Sequence, residues 1–246
     1  MKIIYLIILF IISPPLSLYS QTEHEASKNF NRLKDALNKS NTISDLSYRI
    51  DSIRTTFKDQ TNNRIILSFD RSVDFNINHK RMVILFELWQ YQIDLLTKND
   101  TLYLKVLNTE YFSQLKFEYL DNKILNDYVE KRNKFYSSKK NIKNLVSEIT
   151  NTDFYAIRCG ESQEFTKLGK KIYRYSKKLR FNKLKKLLGN FYCENQSFGV
   201  AGFEMIKERQ KKIPEKYELL VEHLKNRNSE VTTCAGSLVG LIEKIY

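Results

Sequence analysis

The spacing of hydrophobic residues near the start of the chain predicts two amphipathic helices. Between residues 21 and 60, apolar residues recur three and four positions apart, as on helices with one face against a core. The first stripe contains Ala26, Phe30, Leu33 and Leu37. The second stripe contains Ile43, Leu46, Ile50, Ile53 and Phe57. Asn41 or Thr42 is suited to cap the second helix, because its side-chain oxygen can accept a hydrogen bond from the first turn.

The pattern changes to alternation between residues 62 and 120. Four runs alternate apolar with polar residues, and they begin at Val73, Trp89, Leu102 and Leu115. A period of two is typical of strands that place one face on a core. The segment from Met82 to Leu96 also fits helical spacing, but its β-propensity and the polar turn at residues 98–100 favour strands. We therefore predict an antiparallel meander.

Helical spacing returns after residue 120 and continues through most of the remaining chain. The next stripe contains Leu125, Tyr128, Val129, Arg132 and Phe135, and a further helix begins near Ile142. Residues 137–141, SSKKN, form the best candidate for a linker. The predicted fold class is α+β. A region over residues 21–140, with an N-terminal helical pair and a small antiparallel β-meander, precedes an α-rich region over residues 141–246.

A stretch that begins with Asn recurs three times in the C-terminal half. It reads NTDFYAIRCGES at Asn151, NQSFGVAGFEMI at Asn195 and NSEVTTCAGSLV at Asn228. Each copy has an apolar residue three positions after the Asn, followed by small residues. Asn is a good N-cap, and small residues allow a neighbouring helix to approach closely, so the pattern predicts a helix start at each copy. Chance recurrence in an Asn-rich chain is the alternative.

Residues 151–246 resemble HEAT-like helical repeats, which often start with Asn-Pro-x-Val-Arg and continue with small residues. The copies at Asn195 and Asn228 keep the Asn and the apolar residue but lack the Pro and the Arg. The resemblance implies a superhelical scaffold that binds other macromolecules, and it transfers no site residue. The chain as a whole is similar to short exported bacterial proteins.

Residues 1–20 have the organisation of a secretory signal peptide. Lys2 precedes an apolar run from Ile3 to Ile12, two prolines follow, and Ser20 offers a small residue for cleavage. The run is shorter than the roughly 20 residues of a spanning helix, which disfavours the competing interpretation of an uncleaved anchor. Cleavage would leave 40 Lys and Arg against 28 Asp and Glu, a net charge of +12. We expect export to the periplasm or the medium.

Positive charge is concentrated between Glu164 and Glu194, where no acidic residue occurs. Apolar residues at helical spacing accompany these cations, so the segment predicts a basic amphipathic helix. Its basic face could bind an anionic polymer, a membrane surface or an acidic protein, or it could be the solvated side of a packed helix. No specific nucleic-acid motif is present. The candidate anion-binding face consists of Lys167, Lys170, Lys171, Arg174, Lys177, Lys178, Lys185 and Lys186.

The three cysteines allow one disulfide within the chain and leave one thiol over. Cys159 and Cys234 occupy similar positions in the proposed repeat. The expected pair is therefore Cys159–Cys193 or Cys193–Cys234. The alternative is that Cys159 and Cys234 are small buried residues between helices.

Recognised catalytic and metal-binding motifs are missing from the sequence. Asp74, Asn76 and Asn78 resemble the opening of a calcium loop, but His79 and Leu85 stand where such a loop needs Gly and Glu. The three histidines are not paired at metal spacing, and His223 is expected on a helix surface. We therefore expect neither a metal nor a cofactor.

Two classes of function follow from the sequence. The first is an exported, non-enzymatic interaction protein that binds a macromolecular partner through its helical C-terminal half. A narrower form of it is binding of an anionic polymer or a membrane surface by the basic face. The second is an enzyme, for example a hydrolase with dispersed carboxylates.

Overall fold

The computed structural model describes residues 16–56, 63–109, 116–236 and 238–246. Residues 1–15 of the predicted leader, and Phe57 of the second helical stripe, lie outside these ranges. The described helices are α1 (Leu16–Lys39), α2 (Ile43–Thr55), α3 (Asn122–Tyr136), α4 (Ile142–Ile149), α5 (Lys167–Lys177), α6 (Phe181–Leu188), α7 (Cys193–Lys207) and α8 (Glu215–Arg227). The described strands are β1 (Asn63–Ser72), β2 (Asn78–Phe86), β3 (Trp89–Lys98), β4 (Thr101–Thr109), β5 (Lys116–Leu120), β6 (Arg158–Cys159), β7 (Glu164–Phe165), β8 (Val231–Ala235) and β9 (Leu238–Glu243).

Strands β1 to β5 form one antiparallel sheet in sequence order, so the predicted meander is confirmed. The ambiguous segment from Met82 to Leu96 forms parts of β2 and β3. One predicted run is wrong, because residues 73–77 form the turn between β1 and β2. Phe75 and Asn76 have positive φ angles there, of 57° and 60°. Asn, Asp and Ser side chains favour such turns by bonding to the nearby backbone.

Helices cover both faces of the sheet. On β3, Ile93 and Leu95 point into a core shared with α1 and α2, as their alternation predicts. The next residue, Leu96, points into a second core shared with α3 and α4. Thr42 caps α2 by accepting a hydrogen bond from the Asp45 amide, which confirms one of the two predicted caps. The α+β class is therefore confirmed.

Helix α7 is the buried centre of the helical half. Helices α5, α6 and α8 pack around it and form a third core. Gly199 and Gly202 allow this packing, because an added Cβ would lie 2.8 Å from Leu188 and 2.4 Å from Leu184. The predicted close approach at small residues is therefore confirmed for the copy of the repeat that begins at Asn195.

The three Asn-led segments adopt three different structures, and the prediction that each starts a helix is wrong. Asn151 precedes an extended segment in which Tyr155 bridges Thr233. Asn195 lies inside the first turn of α7. Asn228 ends α8 in the left-handed conformation, with φ of 44°, and leads into β8. Asn tolerates that conformation, and the β-branched residues after it favour a strand.

The basic segment forms two helices instead of one. Leu179 lies between α5 and α6 with a positive φ of 49°, where the chain turns. Arg180 then precedes the first turn of α6 without a side-chain cap. The cations predicted to share one face are consequently divided between two helices. Within the described ranges, no helix is long and apolar enough to cross a bilayer.

The disulfide joins Cys159 to Cys234, so the predicted pairings through Cys193 are wrong. The two small hairpins lie side by side, and the Gly160 amide donates to the Gly236 carbonyl at 2.8 Å. That contact brings the two bonded cysteines together. Cys193 begins α7 as a buried free thiol in the second core.

A closed charge cluster lies between the sheet and the helical half. Arg71 of β1 donates two hydrogen bonds to Glu194 of α7, at 2.7 and 3.0 Å. Arg81 of β2 donates to Asp94 of β3 at 2.7 Å. All four side chains are almost fully buried. Two cations therefore balance two carboxylates away from water, a geometry in which loss of either partner is costly.

His79 completes this closed cluster in its neutral form. Its Nε2 lies 2.8 Å from Asp94, and its Nδ1 lies 3.5 Å from the Arg71 guanidinium. A carboxylate only accepts hydrogen bonds and a guanidinium only donates them, so Nε2 carries the proton and Nδ1 is the acceptor. Burial lowers the pKa of His79 to about 4, although Asp94 partly opposes the effect.

We expect peptide mapping of the unreduced protein to recover Cys159 linked to Cys234, with Cys193 reactive only after unfolding. Replacing both linked cysteines by Ala should lower the free energy of unfolding by about 4 kcal/mol, because the bond closes a loop with a sequence separation of 75 residues. A peptide that links Cys193 to either of the others would contradict the assignment.

We also expect the stability of the fold to fall as the pH drops from 7.5 to 5. The unfolded chain protonates His79 near its ordinary pKa, whereas the folded protein holds it neutral down to about pH 4. This difference in protonation lowers the free energy of unfolding by roughly 2 kcal/mol between pH 7.5 and pH 5. Urea titrations at several pH values should show the loss, and the variant His79→Gln, which keeps one donor and one acceptor, should show less of it. Equal pH slopes in both proteins would refute the assignment.

Candidate anion-binding groove

Six of the eight predicted anion-binding residues lie on one exposed stripe along α5 and its C-terminal cap. Their spacing of three and four residues places them on the same helical face. The opposite face of α5 is buried at Gly169, Ile172 and Ser176. Among the described residues, none of the six forms a salt bridge. We call this face the α5 stripe, and it consists of Lys167, Lys170, Lys171, Arg174, Lys177 and Lys178.

Three adjoining concavities surround Asn182 of α6. The first has a volume of about 690 Å³ and lies between α3, α6 and α8. The second, of about 820 Å³, lies between α6 and the loop that joins α3 to α4. The third, of about 520 Å³, lies between the turn before α6 and the start of α8. Because Asn182 lines all three, we call the combined surface the Asn182 groove.

The Asn182 groove is strongly basic. Among the described residues, only two carboxylates line it, and one of them, Glu148, binds Lys140 at 2.6 Å. Glu222 is the other. The groove contains the two remaining predicted residues, Lys185 and Lys186, whereas the α5 stripe does not line it. Its cations are Lys139, Lys140, Arg180, Lys183, Lys185, Lys186 and Lys216.

Neutral groups of the groove add donors and an apolar wall. The Tyr217 hydroxyl donates to Asn182 Oδ1 at 3.2 Å, which leaves the Asn182 amide nitrogen as a donor toward the groove. Lys185 donates one hydrogen bond to the Ser137 carbonyl at 2.7 Å and retains two further N–H groups. Phe135 and Leu219 are 40% and 64% exposed, and they line the first concavity. The groove therefore offers charge, hydrogen-bond donors and apolar contact.

A buried carboxylate supports the floor of the first concavity. Asp74, in the turn after β1, pairs with Arg132 of α3 and with Arg227 of α8, the latter at 2.7 Å. The Tyr136 hydroxyl also donates to Asp74, at 3.2 Å. His223 of α8 completes the set, with Nε2 at 2.9 Å from Asp74. We call these residues the Asp74 cluster. It links the sheet region to two helices that line the groove.

Electrostatics keeps Asp74 ionised. Burial alone would raise the pKa of Asp74, but Arg132, His223 and Arg227 outweigh burial and hold it well below its ordinary value. One carboxylate therefore meets two guanidinium groups. Asp74 and its two guanidinium partners together have a net charge of +1, which adds to the positive potential of the groove above them.

One feature of the sequence signals the Asp74 cluster. Arg132 occupies a position on the otherwise apolar stripe of α3, and a cation there indicates a buried ion pair. The pattern around Asp74 suggests only the opening of a calcium loop. The pattern around His223 predicts only a residue on a helix surface. His223 is indeed 38% exposed at its side chain, but it also contacts a carboxylate 149 residues away.

Other kinds of site receive less support from the described residues. Among them, no group of three or more His, Cys, Asp or Glu side chains is placed to hold a metal ion. Cys193 lies 3.6 Å from Arg227 in a space of only about 10 Å³, which leaves no room for a substrate.

Comparison of the chain with protein-family models, with curated proteins and with solved structures gives no match.

Proposed function

We propose that this protein binds an anionic polymer through the Asn182 groove. The observation that carries the proposal is the lining of the groove. Its described residues include seven cations and two carboxylates, and one of those carboxylates is already paired with a lysine. So many unopposed charges on a concave surface attract and retain an anion better than the same charges on a convex one, because field lines converge there.

The shape of the groove favours an extended ligand. The three concavities adjoin at Asn182, which lines all of them, so one extended ligand could contact all three. Each charged group of such a ligand would meet its own cation, and linked contacts strengthen one another through their effective concentration. The α5 stripe lies outside the groove and would act mainly at long range, by steering the polymer toward the protein.

This proposal narrows the hypothesis of an exported interaction protein. Cleavage after Ser20 would place the groove outside the cytoplasm, so the ligand that we propose is an extracytoplasmic anionic polymer. The groove is formed by α3, α6 and α8, so binding does not depend on a HEAT-like arrangement of residues 151–246. An anionic membrane surface is the competing partner, and the experiment below separates it from a polymer.

We expect charge reversal in the groove to weaken binding more than the same reversal on the α5 stripe. The groove variant combines Lys183→Glu, Lys186→Glu and Lys216→Glu, which replace three exposed residues, and should lose at least about tenfold in affinity for dextran sulfate. The matched control reverses the charge of Lys170, Lys171 and Lys177 by the same substitution to Glu. Its affinity for dextran sulfate should fall about threefold or less. Fluorescence anisotropy at two salt concentrations measures the affinities of both variants. Circular dichroism verifies that both are folded.

Equal losses in the two variants would show that general attraction, and not the groove, retains the polymer. Binding to vesicles with anionic lipid but not to dextran sulfate would identify the membrane surface as the partner. Neutral dextran should not bind at all, since the proposed contacts are ionic.

A further inference from the structure

The described part of the chain contains two Asp–His pairs that differ in their hydrogen bonds and in their exposure. In the closed cluster, His79 has both nitrogens occupied, by Asp94 and by Arg71. In the Asp74 cluster, His223 has only its Nε2 occupied, by Asp74. His79 is fully buried, whereas the His223 side chain is 38% exposed and lines the first concavity of the groove.

The ionised partner fixes the tautomer of His223. Asp74 is a carboxylate and can only accept, so the proton of the neutral ring lies on Nε2 and the lone pair lies on Nδ1. No hydrogen bond from a described residue reaches that Nδ1. Phe135 contacts the ring, with centroids 4.7 Å apart, and helps to hold its orientation. A proton acceptor in a fixed orientation therefore belongs to a concavity that is lined by cations.

The charges around His223 come from four elements. Asp74, in the turn after β1, favours a second proton on the ring. Arg132 of α3 and Arg227 of α8 disfavour this second proton, because like charges repel, and Tyr136 of α3 is uncharged. At the groove surface, Lys185 of α6 and Lys216 of α8 also disfavour a second proton on the ring, whereas Glu222 of α8 favours it. Opposing cations outnumber the carboxylates.

A bound oxyanion would shift this balance toward a protonated ring. It would neutralise part of the surrounding positive charge and would accept a hydrogen bond from a protonated Nδ1. Binding of the anion and protonation of the ring then strengthen each other, because each is more favourable in the presence of the other. Lys185, Lys216 and the Asn182 amide are available to contact the remaining oxygens.

We propose that the first concavity is a subsite for one oxyanion group of the polymer, a phosphate or sulfate ester, and that His223 takes up a proton at Nδ1 when this group binds. The subsite rests on the proposed function, because it is one part of the Asn182 groove. The subsite specifies the ligand group as a phosphate or sulfate ester. It also couples binding of this group to protonation of His223, which the charge of the groove alone does not imply.

The test measures dextran sulfate binding between pH 8 and pH 5.5 at constant ionic strength. Sulfate esters stay fully ionised over this range, so any proton taken up belongs to the protein. The affinity of the unaltered protein should rise about tenfold as the pH falls. Calorimetry in two buffers with different ionisation enthalpies should show net proton uptake on binding, approaching one proton per oxyanion bound at the subsite. The same titration with polyphosphate, compared with dextran sulfate, distinguishes phosphate from sulfate as the preferred group.

The variant His223→Gln separates the subsite from the rest of the groove. Its amide can still donate to Asp74, and the variant should lose both the rise in affinity at low pH and the proton uptake. The matched control is His24→Gln, which changes an exposed histidine of α1 and should leave both intact. Proton uptake that persists in His223→Gln would overturn the subsite.

The failures of the two proposals are distinguishable. If the unaltered protein binds both polymers with an affinity that does not change with pH, and charge reversal in the groove still weakens binding more than reversal on the α5 stripe, the proposed function is supported and the His223 subsite is wrong. If it binds neither polymer at any pH, the proposed function itself is wrong, and the subsite is refuted with it.

Discussion

The buried carboxylate of Asp74 is the interaction on which the arrangement of the groove depends. An ion in the protein interior costs several kcal/mol unless it is paired, so Asp74 requires both Arg132 and Arg227. These partners fix α3 and α8 relative to the turn after β1. Because the same two helices form walls of the Asn182 groove, a contact in the core sets the geometry of a surface. Truncation of any of the three residues should therefore disturb the groove as well as the fold.

Two buried charge clusters hold the sheet and the helical half together, and their different compositions give them different roles. The closed cluster has equal numbers of cations and carboxylates, and its histidine has no free nitrogen. It can stabilise the fold but offers nothing to a ligand. The Asp74 cluster has one excess cation and lies beneath a concavity. Its histidine has a more exposed side chain than Asp74, Arg132 or Arg227 and lines the first concavity, so we propose it as the point of contact between this cluster and a bound anion.

Local sequence patterns predicted the individual elements well because the forces that produce them act over a few residues. The alternation in β3 and the stripe of α3 each follow from one face meeting a core. The cap at Thr42 follows from the chemistry of a single side chain. The Asn-led pattern at Asn151 and Asn228 predicted a helix start that the structure does not contain. The conformation of these two segments depends on contacts with residues that are distant in the sequence. The Asn cap signal was present, but Tyr155 and Thr233 bridge each other instead.

The sequence by itself determined the α+β class, the meander, most helices and the excess of positive charge. Only the tertiary structure decided which charges and which cysteines meet. Asp74 and Arg227 are separated by 153 residues, and Cys159 and Cys234 by 75. No periodicity relates positions so far apart, since their contact is the sum of every turn and packing angle between them. The single turn at Leu179 illustrates this, because it divided one predicted basic face into an exposed stripe and one side of a groove.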